Sequence, residues 1–239
     1  EQKEKVRQID DFSEFFANAC STVADKIPVA GVDAIANHAK FWADKILEAR
    51  KDPRQTITAT LATGETLQGS IHSDHLHKEV TLVGKCIDLG SAYKQCPVSP
   101  AHIRHAIFCM KNPKSNQVEF FIARALPFGA ATSVHGFNRA AMALNHLLHE
   151  YVGTPCSHYF DDFTIITPSS LGAAADELTG DFLKILGWNV KREKDKPTAT
   201  SFTALGVIYD LAEAINQEDP RIIVRNKESR IREICTTID

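Results

Sequence analysis

The sequence predicts an α+β domain built on an antiparallel sheet, with its helices packed on one face of that sheet. Strand-like and helical segments interleave irregularly along the 239 residues, unlike the regular alternation that produces a parallel sheet. Two strand-like runs form a clear hairpin in "SHYFDDFTIITP", residues 157–168. The helical segments are linked to such hairpins, which favours helices that pack directly on the strands.

The first half of the chain predicts one helix followed by strands. Residues 31–50 repeat apolar side chains at helical spacing, and the expected buried face consists of Ile35, Ala39, Trp42 and Ile46. The Thr-rich run 55–71 is typical of two strands joined by a Thr-Gly-Glu turn. A third strand is predicted over 78–89, with Asp88 near its end, and a further strand over 118–128.

A long helix is predicted after these strands. It begins at Thr132 or Ser133, which are both good N-cap residues, and runs to about Tyr151. Its expected inner face consists of Phe137, Ala141, Leu144 and Leu148.

A second long helix is predicted to follow the 157–168 hairpin. Ser169 or Ser170 would cap its N-terminus, and Gly187 would end it. Its expected inner face consists of Leu178, Phe182, Ile185 and Leu186. Two further strands and a last helix are predicted beyond residue 200, and the chain stops while that helix is still running.

Asp161 and Asp162 stand side by side in an apolar, β-prone run, which is an unusual place for two carboxylates. Carboxylates are seldom buried unless they are paired or bind a metal, and two adjacent ones repel each other. One interpretation is a hairpin turn with two solvated Asp at its tip. The other is a divalent-metal site, because Asp88 and Asp161 can meet at one edge of the sheet. Three carboxylates there can hold two hard cations about 4 Å apart, an arrangement suited to phosphoryl transfer.

Composition excludes several classes of protein. The 44% hydrophobic content is that of an ordinary globular protein, and no apolar run approaches the roughly 18 residues of a membrane span. A net charge of −3 argues against a large basic surface. The six cysteines form no CxxC pair, so we expect reduced thiols and an intracellular protein, cytoplasmic or nuclear. The chain opens without Met or an apolar targeting segment, so we expect a piece of a longer polypeptide.

Six stretches, in order along the chain, resemble the motifs of reverse transcriptases of the retrotransposon and retroviral type. The second of them resembles the first catalytic motif, the fourth the aromatic-x-Asp-Asp signature and the last the hairpin that grips the primer. The six stretches are "EKVRQIDDFSEFFAN", "CIDLGSAYKQCPV", "ALPFGAATSVHGFNRAA", "YFDDF", "LGWNVKREKDKP" and "ALGVIYDL".

The resemblance implies a polymerase palm with packed helices and a fingers subdomain. By the family's pattern, fingers occupy 1–85, with a family-specific insertion between residues 25 and 80, since Arg7 and Asp88 are widely spaced. The palm occupies 86–211, and a truncated start of the thumb or connection occupies 212–239.

The resemblance also implies roles for the matching positions. Asp88 and Asp161 would ligate two Mg²⁺ ions, for which Mn²⁺ could substitute. Asp162 would support them, and the Leu89 carbonyl would add a ligand. As in the family, DNA would be made from deoxynucleoside triphosphates on an RNA or DNA template with a primer, by a protein carrying flanking domains of a longer polyprotein.

Five further positions match residues that handle the nucleotide in the family. Arg7 matches the fingers Arg that holds the triphosphate, and Tyr93 the aromatic gate that excludes a ribose 2′-hydroxyl. Phe128 and Gly129 match the turn beside the nascent base pair, and Lys194 the candidate general acid for pyrophosphate. The residue types alone leave alternatives open: core packing for the two aromatic residues, and solvated charge for Arg7 and Lys194.

The intact set of three carboxylates separates two functional hypotheses. The first is an active RNA-directed DNA polymerase core of a retroelement. The second is a catalytically inactive, decayed or domesticated palm fragment that binds nucleic acid and keeps only the fold. A decayed copy is expected to lose one of Asp88, Asp161 and Asp162, and all three are present.

Overall fold

The computed structural model describes residues 11–13, 16, 18–21, 26–54, 56–61, 63–191 and 195–238. Its helices are α1 (Val32–Lys51), α2 (Ala131–Leu147), α3 (Ser169–Ile185) and α4 (Glu228–Ile238). Its strands are β1 (Ile57–Thr60), β2 (Thr66–Gly69), β3 (Leu82–Asp88), β4 (Ile107–Lys111), β5 (Val118–Ile122), β6 (Cys156–Tyr159), β7 (Asp162–Pro168), β8 (Ser201–Ala204), β9 (Val207–Asp210) and β10 (Ile223–Asn226). The predicted α+β class is confirmed.

The chain forms two compact units. One comprises the described part of residues 1–28 together with Leu89–Leu144, and the other comprises Val29–Asp88 with residues 145–239. We call them the first and the second unit. None of the helices in the described part of the chain is long and apolar enough to cross a membrane.

The second unit is organised around a three-stranded antiparallel sheet with the order β3-β7-β6. β3 and β7 pair along their whole lengths, from Leu82 opposite Pro168 to Asp88 opposite Asp162. All seven residues of β7 except Asp162 are buried. Because both faces of β7 are buried, its sequence is a nearly continuous apolar run rather than an alternation of apolar and polar residues.

Helix α1 covers one face of this sheet. Its buried side chains lie at helical spacing and share one core cluster with Leu82 and Ile166, which the strand register places on the same face. The predicted helix is confirmed, and its buried residues are Ile35, Ala39, Ala43, Ile46 and Ala49.

Helix α3 packs on the opposite face of the sheet, because a Cβ added at Gly172 would lie 3.0 Å from Cγ2 of Val83. Helices therefore cover both faces, and the expectation of helices on one face only is wrong. The expected inner face of α3 is also wrong: Leu178, Ile185 and Leu186 are exposed. The buried residues are Gly172, Ala175, Thr179 and Leu183, and the missing side chain of Gly172 allows close approach to Val83 of β3.

The expected N-caps of the two long helices are not used. α3 follows Pro168, and within the described part of the chain no side-chain hydrogen bond caps its N-terminus. α2 begins at Ala131, before Thr132, and the Ala131 N–H donates to the side chain of Asn18 at 2.9 Å. The predicted inner face of α2 is confirmed, because Phe137, Ala141, Leu144 and Leu148 are all buried.

Gly187 ends α3 as predicted. It has φ +80, its N–H donates to the Lys184 carbonyl, and the Trp188 N–H donates to the Leu183 carbonyl. This pair of bonds is the Schellman pattern, which requires a left-handed residue after the helix. The chain then turns back toward β3.

The hairpin of β8 and β9 closes the core of the second unit. Its two turn residues, Leu205 and Gly206, both have positive φ, at 49° and 81°. The Phe202 ring of β8 lies against Gly84 of β3, where an added Cβ would come within 2.5 Å of the ring. Gly84 is therefore required by the close approach of the aromatic ring rather than by its own backbone angles.

His38 on α1 gives the second unit a pH-dependent stability. Burial, followed by the proximity of His149, lowers the pKa of His38 from 6.5 to about 4. Between pH 6.5 and 4 the His38 imidazole is protonated in the unfolded chain but mostly neutral in the folded chain. The free energy of unfolding therefore falls as the pH is lowered through this window. When the pH is lowered from 7 to 4.5, we expect the free energy of unfolding to fall by about 1–2 kcal/mol less in His38→Gln than in the parent chain. Urea unfolding at both pH values measures this, and parallel losses in the two chains would contradict it.

In the first unit, β4 and β5 form a separate antiparallel hairpin. Its side chains are largely exposed, including Phe120 at 75%. The rest of this unit contains the aromatic and turn residues described below.

Candidate active site

Three carboxylates lie at one end of the central sheet of the second unit. Asp88 is the last residue of β3 and stands directly opposite Asp162, the first residue of β7. Directly opposed residues of an antiparallel pair project to the same face, so both carboxylates lie on one face. Asp161 occupies the turn between β6 and β7, next to this pair.

The turn that carries Asp161 is strained. It consists of Phe160 and Asp161 and is closed by the Tyr159–Asp162 pair. Phe160 has φ +52, in the left-handed region where residues other than glycine are disfavoured by about 1–2 kcal/mol. Residues held in such conformations concentrate at functional sites. A two-residue hairpin turn needs a positive φ at its first central residue, and here an aromatic residue adopts it.

The electrostatics of Cys86 indicate that all three carboxylates lie near its thiol. Burial, followed by the Asp162 carboxylate, raises the pKa of the Cys86 thiol to about 12. Asp88 and Asp161 act in the same direction, while a hydrogen bond with Thr164 opposes them. All three carboxylates thus act on one half-buried thiol, which stays protonated and uncharged at neutral pH.

One cation already lies at this site. The Lys191 ammonium forms an ion pair with Oδ1 of Asp88, and the two side chains are only 28% and 16% exposed. The Lys191 N–H also donates to the Asp88 carbonyl at 3.0 Å. Lys191 is therefore held to the end of β3 through both its backbone and its side chain.

A second ion-pair cluster lies next to the first along β3. Lys85 is almost fully buried, at 5% exposure, and its ammonium pairs with Asp176 of α3 and with Asp195. Asp195 also donates its N–H to the Lys191 carbonyl at 3.1 Å. Lys191 and Asp195 are thus attached to β3 at Asp88 and at Lys85.

We expect Lys85→Met to lower the free energy of unfolding by about 2 kcal/mol, because two partly buried carboxylates lose their cation. Lys40→Met is the matched control, since Lys40 pairs with Asp44 at 64% and 56% exposure. Such a surface pair contributes about 0–1 kcal/mol. Denaturant unfolding of both variants measures the difference. Equal effects would show that the Lys85 cluster adds no more than a surface pair.

The donor set suits hard divalent cations, which bind carboxylate oxygens. Asp88, Asp161 and Asp162 supply these oxygens within one sheet end. Across the described residues, however, no group of three carboxylate, imidazole or thiol side chains is arranged to hold a metal ion. The Lys191 ammonium occupies Oδ1 of Asp88 instead. The residues fit divalent ions by chemistry, with Lys191 as a competing cation.

The first unit contains the predicted aromatic residues in one cluster. The Tyr93 ring stacks on Phe137 with centroids 4.8 Å apart and meets Phe128 edge-on at 5.0 Å. Phe128 remains 43% exposed, whereas Leu89 is fully buried. Tyr93 thus packs against both rings and is half-buried.

Asn18 fixes the turn that contains Gly129. Its side-chain amide donates to the Gly129 carbonyl at 3.0 Å and accepts from the Ala131 N–H at 2.9 Å. Gly129 itself has φ +111, a conformation that other residues rarely adopt. One side chain therefore both holds this turn and caps α2.

Sequence reasoning missed Lys85, Lys191 and Asn18. Lys85 carried a signal, because a charged residue in an apolar strand must find a buried partner. Lys191 lies in the charged run "KREKDK", which is typical of a solvated turn, and carried no signal. Two predicted site residues, Arg7 and Lys194, lie outside the described residues.

Comparisons with known proteins give one family and one fold. The model of the family described as reverse transcriptase (RNA-dependent DNA polymerase) matches residues 35–209. Among solved structures, the chain is similar to a foamy viral protease-reverse transcriptase, dRH, in complex with double-stranded DNA. That match has a TM-score of 0.50 and 17% identity, and it covers 76% of this chain and 32% of the viral chain. The chain thus spans about a third of the viral protein, and at this identity the similarity shows the fold alone. No curated protein sequence matches the chain.

Proposed function

Because the chain belongs to the reverse transcriptase (RNA-dependent DNA polymerase) family, we propose that it is the RNA-directed DNA polymerase core of a retroelement. The observation that carries the proposal is the cross-strand pair of Asp88 and Asp162, with Asp161 in the adjoining strained turn. A solvated turn would not need the opposed carboxylate on β3.

Asp88, Asp161 and Asp162 are the proposed ligands of two Mg²⁺ ions, with Mn²⁺ as a substitute, and the Leu89 carbonyl adds a ligand. When bound, such ions supply charge neutralisation for in-line phosphoryl transfer. The protein's own contribution is to hold the carboxylates at one sheet end, on strands buried against helices on both faces. A rigid support of this kind keeps the ligands in position, and phosphoryl transfer needs little covalent chemistry from the protein itself.

The nucleotide-handling roles rest on matching motifs. We propose that Tyr93 excludes the ribose 2′-hydroxyl, that Phe128 and Gly129 lie beside the nascent base pair, and that Arg7 binds the triphosphate. Lys194 is the proposed general acid for pyrophosphate. The ring contacts of Tyr93 and the clamp of Asn18 on Gly129 support these roles, because both fix residues that must be precisely oriented.

The proposed partners are a primed RNA or DNA template and deoxynucleoside triphosphates. The foamy viral structure contains double-stranded DNA, which supports a nucleic-acid partner. We assign residues 1–85 to the fingers, 86–211 to the palm and 212–239 to the start of the thumb or connection, within a longer polyprotein.

Primer extension on an RNA template with Mg²⁺ tests the proposal. The 239-residue chain is compared with a version extended at both ends, because extra primer-template contacts raise the affinity for the substrate. Incorporation that needs both the RNA template and Mg²⁺ supports the polymerase. Binding of primer-template without incorporation in either version would instead support an inactive nucleic-acid-binding palm.

A further inference from the structure

We propose that one face of the β4–β5 hairpin binds single-stranded nucleic acid, with the ring of Phe120 stacked on a base. The hairpin lies wholly within the first unit, whereas Asp88, Asp161 and Asp162 belong to the second. The proposed site therefore goes beyond the proposed function, because it needs neither these carboxylates nor a metal ion.

The register of the hairpin determines which side chains share this face. Residues that stand directly opposite each other project to the same side of the sheet, and the side alternates along each strand. We call the face that contains Phe120 the hairpin face. All six of its residues are exposed, in the cross-strand pairs Ile107 with Ile122, Cys109 with Phe120 and Lys111 with Val118.

Phe120 lies in the middle of the hairpin face and is 75% exposed, while Ile107 and Ile122 are each 54% exposed. The other face of the hairpin differs, since Phe108 and Phe121 stack on each other there with centroids 5.5 Å apart. A contiguous apolar patch of this kind on a protein surface often marks an interaction site. The hairpin face therefore has one bare ring that is open to a ligand.

The charge of the surrounding segment indicates the class of that ligand. Residues Leu89–Leu144 contain six of the chain's 27 Lys and Arg, but only one of its 30 Asp and Glu. That acidic residue, Glu119, alternates to the other face, where it accepts a hydrogen bond from the side chain of Asn112 at 2.7 Å. The net charge of −3 for the whole chain thus conceals a basic segment, whose charge complements an anionic ligand.

Three of these cations lie on the hairpin face or next to it in the chain. Lys111 belongs to the face, Lys114 lies in the turn between the two strands, and Arg124 follows β5 by two residues. All three are exposed, and none of them forms an ion pair within the part of the chain that the structure describes. Their charges are therefore available to phosphate groups.

An exposed ring accompanied by cations is the combination through which proteins bind single strands without reading their sequence. The bases of a single strand offer flat faces to the ring, and the phosphates attract Lys and Arg. The bases of a duplex are already stacked on one another and cannot stack on the ring in the same way. A protein partner would match the apolar side chains of the hairpin face but not the excess of cations, so we favour nucleic acid.

Fluorescence anisotropy of a labelled oligothymidylate tests the site, in EDTA so that no metal-dependent binding contributes. We expect Phe120→Ala to weaken binding by about fivefold or more, the effect of losing one stacked base. Phe120→Trp keeps a ring and should bind at least as tightly as the parent chain. Phe120→Leu keeps an apolar side chain without a ring and should bind as weakly as Phe120→Ala.

Phe41→Ala is the matched control for these variants. Phe41 is also an exposed aromatic residue, at 50%, but it lies on α1 in the second unit. Its replacement should leave the Kd for oligothymidylate unchanged. Thermal unfolding establishes that each variant is folded, which is expected because both rings project into solvent.

The salt dependence of binding tests the cations separately from the ring. Lys111→Met should reduce the slope of log K against log salt concentration by about 0.7, the value for one phosphate contact on a single strand. Lys40→Met removes an exposed ammonium from α1 and should leave the slope unchanged. An unchanged slope in Lys111→Met would overturn the proposed phosphate contact.

Three results would overturn the stacking role of Phe120. The first is equal binding of oligothymidylate by Phe120→Ala and the parent chain. The second is an equal loss of affinity for single-stranded and duplex probes. The third is self-association of the parent chain that Phe120→Ala abolishes while oligothymidylate binding is retained, because the hairpin face would then bind protein.

These outcomes are independent of the proposed polymerase activity. Primer extension that requires Mg²⁺ would stand even if Phe120→Ala bound oligothymidylate as the parent chain does. Conversely, a chain that incorporates no nucleotide could still show binding that depends on the Phe120 ring, because the anisotropy measurement requires no metal and no catalysis.

Discussion

Asp88→Asn and Asp161→Asn should each reduce primer extension by at least about a thousandfold, or about 4 kcal/mol of activation free energy. Each change removes a proposed metal ligand without changing the size of the side chain. Asp162→Asn should be less severe, since Asp162 is proposed to support the ions rather than to bind both. The measurement is the single-turnover rate of nucleotide addition with Mg²⁺, on a version of the chain shown to be active.

The fold should survive these changes, which distinguishes a lost ligand from a lost structure. An Asn at position 88 still offers an amide oxygen to the Lys191 ammonium, so a hydrogen bond to a neutral acceptor replaces the ion pair. Asp44→Asn is a matched control, because Asp44 lies in an exposed pair on α1. Near-normal rates in both Asp88→Asn and Asp161→Asn would make the two-metal assignment untenable.

Tyr93→Val should raise the incorporation of ribonucleotides relative to deoxynucleotides by at least about tenfold, equivalent to roughly 1.4 kcal/mol of discrimination. A bulky ring beside the sugar leaves no room for a 2′-hydroxyl and offers no replacement for the water that this hydroxyl would lose. The proposed role is supported by the ring contacts, because Phe137 and Phe128 both pack against the Tyr93 ring.

Tyr93→Phe is the control that isolates the ring. It keeps both ring contacts and removes only the phenolic hydroxyl, so discrimination should stay close to that of the parent chain. The measurement is the ratio of kcat/KM for a matched deoxynucleotide and ribonucleotide pair. A ratio that Tyr93→Val leaves unchanged, together with lower thermal stability, would mean that Tyr93 serves the core of the first unit alone.

The elements that local pattern determines were predictable from the sequence. α1 and the hairpin of β6 and β7 follow from apolar spacing and from a short turn between β-prone runs. The placement of Asp88 at a strand end followed from the same reasoning. These features depend on residues close together in the chain, which a single sequence displays directly.

The buried face of α3 was not predictable in this way. Sequence reasoning favours the largest apolar residues as the inner face, and so selected Leu178, Ile185 and Leu186. The helix instead buries Gly172 and Ala175, because small residues let its backbone approach Val83. That preference depends on the neighbouring strand, which the local pattern does not contain.

The ion pairs of the site could not be predicted from the sequence either. Lys191 and Asp88 are distant in sequence, as are Lys85 and Asp195, and each pair depends on the path of the chain after Gly187. Asn18 likewise reaches a turn far along the chain. Partners of this kind are set by tertiary structure, so single-sequence reasoning can indicate that a buried charge needs a partner but cannot name it.

The contact of Phe202 with Gly84 limits the evolutionary freedom of the strand that carries Asp88. Any side chain at 84 would collide with the ring and with the backbone carbonyl of Ile165, and a smaller residue at 202 would relieve only the first of these collisions. Position 84 is therefore expected to stay glycine among related chains. Part of this constraint on β3 comes from a hairpin that carries none of the proposed metal ligands.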